Sequence, residues 1–343
     1  MDKNTVTLRD IAIAAHVSLG AVSKVLGRSK GNIRISDEKA DLIRRTAAAL
    51  NYKPNISARR LAGGASRVIG IILDSELPVH YYRTVTSIEH KLEALEYRTM
   101  VAESHGSVEN FQNAHRSLMQ YGVDGVICIS HDYPGENHLI EEYFRHYPNT
   151  VFIGRPFAGT HLVDIDWRSS TESATAHLLS CGCRSLVLLI GKAPYVSRAD
   201  RISGFQQAVN ACSGVHSAIM QLSALDSEEI PPEFPEIIKS LPQDVDGIIC
   251  ENDLKAVAMI GQLQRMGIRV PEDIAVVGHN NEQFSRCHYP AVSTIDELSG
   301  AQAEAAVELL LRQLGENPPD SPQTITITPS LILRESSQFP ARK

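Results

Sequence analysis

Residues 5–26 read TVTLRDIAIAAHVSLGAVSKVL, and their apolar members Ile11, Ala12, Ala15, Val17, Val22, Val25 and Leu26 are spaced for two short helices joined by a tight turn. Thr7 and Asp10, three residues apart, form a capping pair for the first helix, and Ser18 is placed to cap the second. A third helix is expected from Ser36 to Asn51, with Asp37 and Glu38 in the first turn, where the helix dipole favours negative charge, and Pro54 beyond its end. Charge sets this segment apart. Residues 1–63 hold 12 Lys and Arg against 5 Asp and Glu, a net +7, whereas the following 280 residues hold 21 against 35, a net −14. A small cationic unit on a large acidic body suits contact between the former and a polyanion.

From Val68 onward the pattern changes to continuous apolar runs, Val68–Leu73, Met100–Ala102 and Val126–Ile129, alternating with amphipathic stretches at Val85–Leu95 and Phe111–Tyr121. Strands of this kind belong to a parallel sheet covered on both faces. The order then recurs, with a strand at Leu186–Ile190, a helix expected at Gly204–Ala211 and a strand at Val245–Cys250. VDGVIC at 123–128 is nearly repeated as VDGIIC at 245–250, so the body reads as two similar α/β units with a ligand cleft at the carboxyl ends of their strands.

The composition is that of an ordinary globular chain: 343 residues, 43% hydrophobic and 21% charged, enough for two or three domains. No apolar run approaches the roughly 18 residues needed to span a bilayer, which excludes an integral helical membrane protein. The opening MDKNTVTLRD lacks the apolar stretch of an export signal, and the six cysteines include no CxxC pair. Reduced, buried thiols and a cytoplasmic location are therefore expected.

These residues resemble the lactose repressor/galactose repressor (LacI/GalR) family of bacterial transcription regulators. Four stretches carry the resemblance: TLRDIA at 7–12 with VSLGAVSKVL at 17–26, NYKPN at 51–55 with ARRL at 58–61, GHNN at 278–281 with PAVSTI at 290–295, and PSLILRES at 329–336. The resemblance implies an α/β fold class. A three-helix, helix-turn-helix DNA-binding domain at 1–53 and a hinge helix and linker at 54–64 precede two Rossmann-like subdomains of the periplasmic-binding-protein type I fold. The subdomains are expected at 65–164 with 295–325, and at 165–294 with 326–340. The implied function is repression of carbohydrate-utilisation genes, controlled by a small sugar-type effector in the cleft.

For DNA, the resemblance places Leu19, Gly20, Ala21 and Lys24 against base edges in the major groove. Leu and Gly offer little hydrogen-bonding readout, leaving Leu19 to touch a thymine methyl. Lys24 carries the polar readout or, alternatively, contacts a phosphate. Ser18, Ser23 and Asn32 are candidate phosphate contacts. Tyr52, Asn55, Ala58, Arg59 and Leu61 belong to the hinge, where Leu61 is either a minor-groove wedge or a linker residue packed on protein. His16 stands where the family has Gly and a positive φ is expected.

For the effector, the resemblance assigns His80, Tyr81, Arg155, Asp166, Trp167, Ser197, Arg201, Asn252 and Asn280. Trp167, the single tryptophan, either stacks on the ligand or is a plain core aromatic. Family carboxylates are replaced at Gly154 and Asn280, while Arg201 and Arg155 remain. This favours a cationic cleft and an acidic effector such as a sugar acid or sugar phosphate. No GxSxG, GxGxxG, Walker or HExxH motif occurs, and the 13 His lack metal-ligand spacing, so neither an enzyme, a cofactor nor a metal is expected. Partners are double-stranded palindromic operator DNA, the effector and a second copy of the chain, with no membrane. A homodimer is expected to use the helix carrying Val85, Ile88 and Leu92.

Overall fold

The computed structural model describes residues 6–27, 34–52, 65–73, 80–154, 157, 159–226 and 229–338. It divides into two compact units, Met1–Arg67 and Val68–Lys343.

The first unit holds α1 (Leu8–Ala14), α2 (Leu19–Gly27) and α3 (Asp37–Ala49). Thr7 and Asp10 form a reciprocal capping box: the Thr7 amide donates to Asp10 Oδ2 at 2.8 Å, and the Asp10 amide donates back to Thr7 Oγ1 at 3.3 Å. His16 turns the chain between α1 and α2 with φ 50°, the left-handed conformation expected there. Ser36 caps α3 by accepting from the Lys39 amide. Ile11, Ala12, Val22, Ile43 and Ala47 make the core, and burying a Val or Ile side chain contributes about 1.5–3 kcal/mol.

The second unit contains two sheets. The chain first lays down β1 (Val68–Leu73), α4 (Tyr81–Ala94), β2 (Arg98–Glu103), α5 (Val108–Tyr121), β3 (Gly125–Ile129), α6 (Asn137–Phe144), β4 (Thr150–Ile153) and β5 (His161–Ile165). There follow α7 (Trp167–Ser180), β6 (Ser185–Gly191), α8 (Val196–Asn210), β7 (His216–Leu222), α9 (Phe234–Lys239), β8 (Gly247–Cys250), α10 (Asp253–Arg265), β9 (Ala275–His279), α11 (Gln283–Cys287) and β10 (Ser293–Asp296). The last elements are α12 (Ser299–Gln313), β11 (Thr324–Ile327) and β12 (Ser330–Ile332). One sheet has the order β11-β5-β4-β3-β1-β2, all parallel; the other is β12-β10-β9-β8-β6-β7, parallel except for β12. The repeated VDG segments lead into β3 and β8, the fourth strand of each sheet. The chain passes between the sheets at 165–167, 296–299 and 327–330, one or two residues beyond the divisions drawn from sequence, because β5, β10 and β11 each extend that far.

Three expectations need correction. Helix α8 starts at Val196, eight residues before Gly204, which lies inside it. A Cβ at Gly204 would overlap the Arg168 carbonyl oxygen, so the glycine allows α7 and α8 to pack closely and does not mark a helix end. Val85, Ile88 and Leu92 are buried against β1 and α12, among Ile69, Ala303, Ala306 and Leu310, and have no surface to offer a partner. All six cysteines are free thiols, but only Cys128, Cys183 and Cys250 are buried. Cys212 and Cys287 are exposed, at or just beyond the carboxyl ends of helices α8 and α11.

Candidate functional site

In the second unit, loops at the carboxyl ends of the strands enclose a cleft, as the physics of open α/β sheets requires. A cavity open to solvent, with about 750 Å³ of empty space that includes part of that solvent, is bounded by residues including His80, Tyr81, Trp167, Ser197, Arg201, Asn252 and Asn280. A second open cavity, about 470 Å³ on the same measure, shares Tyr81, His131, Trp167 and Ser197 with it and includes Asp132, Asp164 and Asp200.

Arg201, on α8, organises the larger cavity. Its guanidinium carbon lies 4.6 Å from the Trp167 ring centroid, and Nη1 donates to the Glu251 carbonyl at 3.2 Å. Burial lowers the pKa of this guanidinium, while Glu251 and Glu297 act in the opposite sense. Trp167 is the first residue of α7 and is 4% exposed, belonging both to the core and to the cavity wall. The ring of His279 lies 5.3 Å from it; burial, with Arg201 and His80 nearby, pushes the His279 pKa well below the usual imidazole range.

Beside this group, Arg198 donates to Glu251 at 2.5 Å and to Asp226 at 2.7 Å, and Lys255 Nζ lies 3.6 Å from Glu251. Burial alone would raise the Glu251 pKa, but Lys255 and Arg198 outweigh it and hold the carboxyl below its ordinary value. A Cβ at Gly191 would overlap the Arg198 guanidinium, so a larger residue there would have to displace Arg198 from this pairing with Glu251 and Asp226.

Polar contacts cross the cleft. Asp132, after β3, accepts from the Val196 amide at the start of α8 at 2.7 Å. Arg83 of α4 donates to the carbonyls of Asn280 and Asn281, the latter at 2.7 Å. Asn280 and Asn281, just past β9, have φ of 95° and 49°, in the left-handed region that Asn tolerates better than most residues.

Of the sequence-derived effector residues, His80, Tyr81, Trp167, Ser197, Arg201, Asn252 and Asn280 come together on the cavity wall. Asn252 also caps α10 by accepting from the Lys255 amide. Asp166 is not on either wall; its carboxylate caps α7 by accepting from the Ser169 amide at 2.9 Å. Arg155 lies outside the described residues. The cationic cleft expected from Gly154 and Asn280 is not found among the described residues, because Glu251, Asp226 and Glu297 supply carboxylates beside Arg198, Arg201 and Lys255. Sequence reading missed Glu297, Glu251, Arg198, His279, His131 and Arg83. Glu251 and Glu297 both directly follow strand ends, a position that identifies cleft residues in such sheets.

In the first unit, Leu19 is 51% exposed and Gly20 exposed, at the start of α2. Ser18 is exposed and accepts from the Ala21 amide at 3.2 Å. Ser23 and Lys24 are half-buried. Ala21 and Tyr52 are likewise half-buried and pack against the three-helix core. Asn32, Asn55, Ala58, Arg59 and Leu61 lie outside the described residues.

A helix-turn-helix unit followed by a two-sheet unit with a polar cleft defines a ligand-responsive DNA-binding regulator. Residues 7–55 match the model of the bacterial regulatory proteins of the lacI family, and residues 175–337 match the periplasmic binding protein-like domain. The HTH-type transcriptional repressor PurR of Haemophilus influenzae (strain PittEE) is 24% identical over 332 residues, covering 96% of this chain and 98% of PurR. Among solved structures, the lac repressor dimer bound to operator and the anti-inducer ONPF superimposes with a TM-score of 0.80 at 22% identity, covering 98% of this chain and 100% of that one. The CelR–cellobiose complex gives 0.65 at 23% identity, covering 96% and 99%. The chain therefore joins a lacI-family DNA-binding domain to a periplasmic-binding-protein-like domain, the architecture of a LacI-family regulator, and the relatives it matches are transcriptional repressors, not enzymes. No helix among the described residues is long and apolar enough to cross a membrane.

Proposed function

We propose that this protein is a homodimeric, cytoplasmic repressor of carbohydrate-utilisation genes, which binds a palindromic operator through α2 and is controlled by a sugar-type molecule in the cleft. The observation that carries this reading is the placement of Arg201 over Trp167 beside Ser197, Asn252 and Asn280. A guanidinium held against an aromatic ring and surrounded by side-chain donors and acceptors suits a small, polyhydroxylated ligand that exchanges hydrogen bonds with all of them. A structure of the same fold holding cellobiose supports this ligand class.

DNA reading is assigned to Leu19, Gly20 and Lys24, with Ser18 and Ser23 on phosphates, and effector binding to the cavity-wall residues. The dimer face is assigned to the outward side of α4 and the edge strand β2. Tyr82 and Val101 are exposed there, and Tyr82 is tied to Glu103 at the end of β2 by a 3.3 Å hydrogen bond. Control requires only that the effector bind two subdomain arrangements with different affinity.

Deletion of residues 1–63 tests the division of labour. DNA binding is expected to disappear while calorimetric binding of a sugar is retained; DNA binding by the truncated chain would contradict the reading. A monomeric mass in sedimentation at micromolar concentration would contradict the dimer.

A further inference from the structure

We infer that Glu297 is the residue by which the cleft selects its ligand, accepting hydrogen bonds from the hydroxyl groups of an uncharged polyhydroxylated molecule and turning away carboxylate- and phosphate-bearing ones. The inference rests on the reading of the cleft as a small-molecule site and specifies the ligand's charge.

Glu297 follows β10 at the point where the chain leaves the second sheet for α12. Its backbone is fixed: the carbonyl accepts from Gln302 Nε2 at 2.7 Å, and Leu298 beyond it adopts φ 58°, with its amide held by Asp296 at 2.9 Å. A left-handed leucine is strained, and such strain persists where the surroundings dictate it, commonly at ligand sites.

The Glu297 side chain is 2% exposed and reaches the wall of the larger cavity. Oε2 lies 3.2 Å from His80 Nε2, and Oε1 lies 3.5 Å from His279 Nε2 and 4.0 Å from Arg201 Nη2. These distances allow attraction, but none of the pairs is aligned as a hydrogen bond. Both Glu297 oxygens, both His80 ring nitrogens, His279 Nε2 and Arg201 Nε are buried without a hydrogen-bond partner. Buried polar atoms are normally satisfied, and a cluster of unsatisfied ones is costly unless it serves a purpose. Here donors and acceptors converge on one cavity, an arrangement matched to a molecule bearing several hydroxyls, each of which can donate and accept.

Charge decides between ligand classes. Arg198 is engaged by Glu251 and Asp226, and Lys255 by Glu251 and the Leu225 carbonyl. Among the described residues, Arg201 is therefore the cation an acidic ligand would need, and Glu297 already stands beside it. Burial keeps the neighbouring His279 neutral, so it adds no compensating positive charge. An anion drawn to Arg201 would meet the Glu297 carboxylate in a poorly screened interior, whereas a hydroxyl can donate to Glu297 and accept from Arg201.

The test is calorimetric titration of the full-length protein and of Glu297→Gln with matched pairs: glucose against glucuronate, gluconate and glucose 6-phosphate; galactose against galacturonate; and cellobiose against cellobionate. The wild-type protein is expected to bind at least one neutral member and not its acidic counterpart. In Glu297→Gln, affinity for that neutral sugar is expected to fall about tenfold or more, and affinity for its acidic counterpart to rise about as much. Preference of the wild type for an acidic member, or an unchanged neutral-to-acid ratio in the variant, would overturn the inference while leaving the small-molecule reading intact. Binding of no member would overturn both. The wild-type comparison decides the ligand class even if the variant fails to fold.

Discussion

Arg201 lies with its guanidinium carbon 4.6 Å from the centre of the Trp167 ring, joining α8 to the first residue of α7 across the floor of the cleft. Both residues face the larger cavity, and Trp167 is the only tryptophan in the chain. A ligand bound there is expected to change Trp167 emission. Arg201→Lys is expected to weaken binding by about 1.5–3 kcal/mol, because an ammonium reproduces neither the planar stacking nor the paired donors of a guanidinium. Fluorescence titration checks both; unchanged affinity in the variant would remove Arg201 from the site.

Arg83 ties α4 to the carbonyls of Asn280 and Asn281 across the cleft. Removing a charged donor from such contacts costs about 1.5–3 kcal/mol. Arg83→Ala is expected to loosen this subdomain arrangement, seen as faster hydrogen exchange at residues 280–282 and an altered effector affinity. Wild-type exchange in that segment would show that the latch contributes nothing.

His115 is fully buried beside Phe144, Tyr143 and Tyr147, with a pKa lowered to about 4 by burial and by the nearby Arg116 charge. Because this lies below the free value of about 6.5, the unfolded chain binds more protons between those limits. The stability conferred by neutral His115 is present above pH 6.5 and is lost as the pH falls toward 4, by up to about 3 kcal/mol. His115→Phe is expected to flatten this part of the acid dependence in melts at pH 6.5 and 4.5. An identical slope in both proteins would contradict the assignment.

Lys24 and Leu19 divide the expected DNA readout on α2. Lys24→Ala is expected to cost about 1–3 kcal/mol on the selected operator and to relax preference at one base, and Leu19→Ala to weaken discrimination at a thymine. Binding arrays at fixed salt check this. A uniform loss across sequences for Lys24→Ala, with the salt slope reduced by about 1, would make Lys24 a phosphate contact instead.

What the sequence made legible was local or periodic. The Thr7/Asp10 capping box and the matching positions of β3 and β8 follow from neighbouring residues or a repeated motif, whereas the left-handed His16 was legible only through the glycine the family has at that place. The cleft was legible where a family motif marked it, as at Arg201, Asn252 and Asn280. Glu297 and His279 escaped because they meet only when β9 and β10 end side by side, and no spacing in the chain records that meeting. Arg83 likewise meets its carbonyl acceptors from almost 200 residues away. The helix face at Val85, Ile88 and Leu92 was misassigned because an apolar stripe does not say whether it faces a partner or, as here, α12 of its own chain.

The central claim is that one chain couples DNA reading to small-molecule binding. The most direct test is selection of bound duplexes from a random DNA pool by the full-length protein at a stated salt concentration, with and without a sugar that binds the cleft. The account predicts enrichment of one two-fold symmetric sequence whose retention changes when the sugar is added. Enrichment of no symmetric sequence in either condition, or of one whose retention is indifferent to a bound sugar, would contradict it.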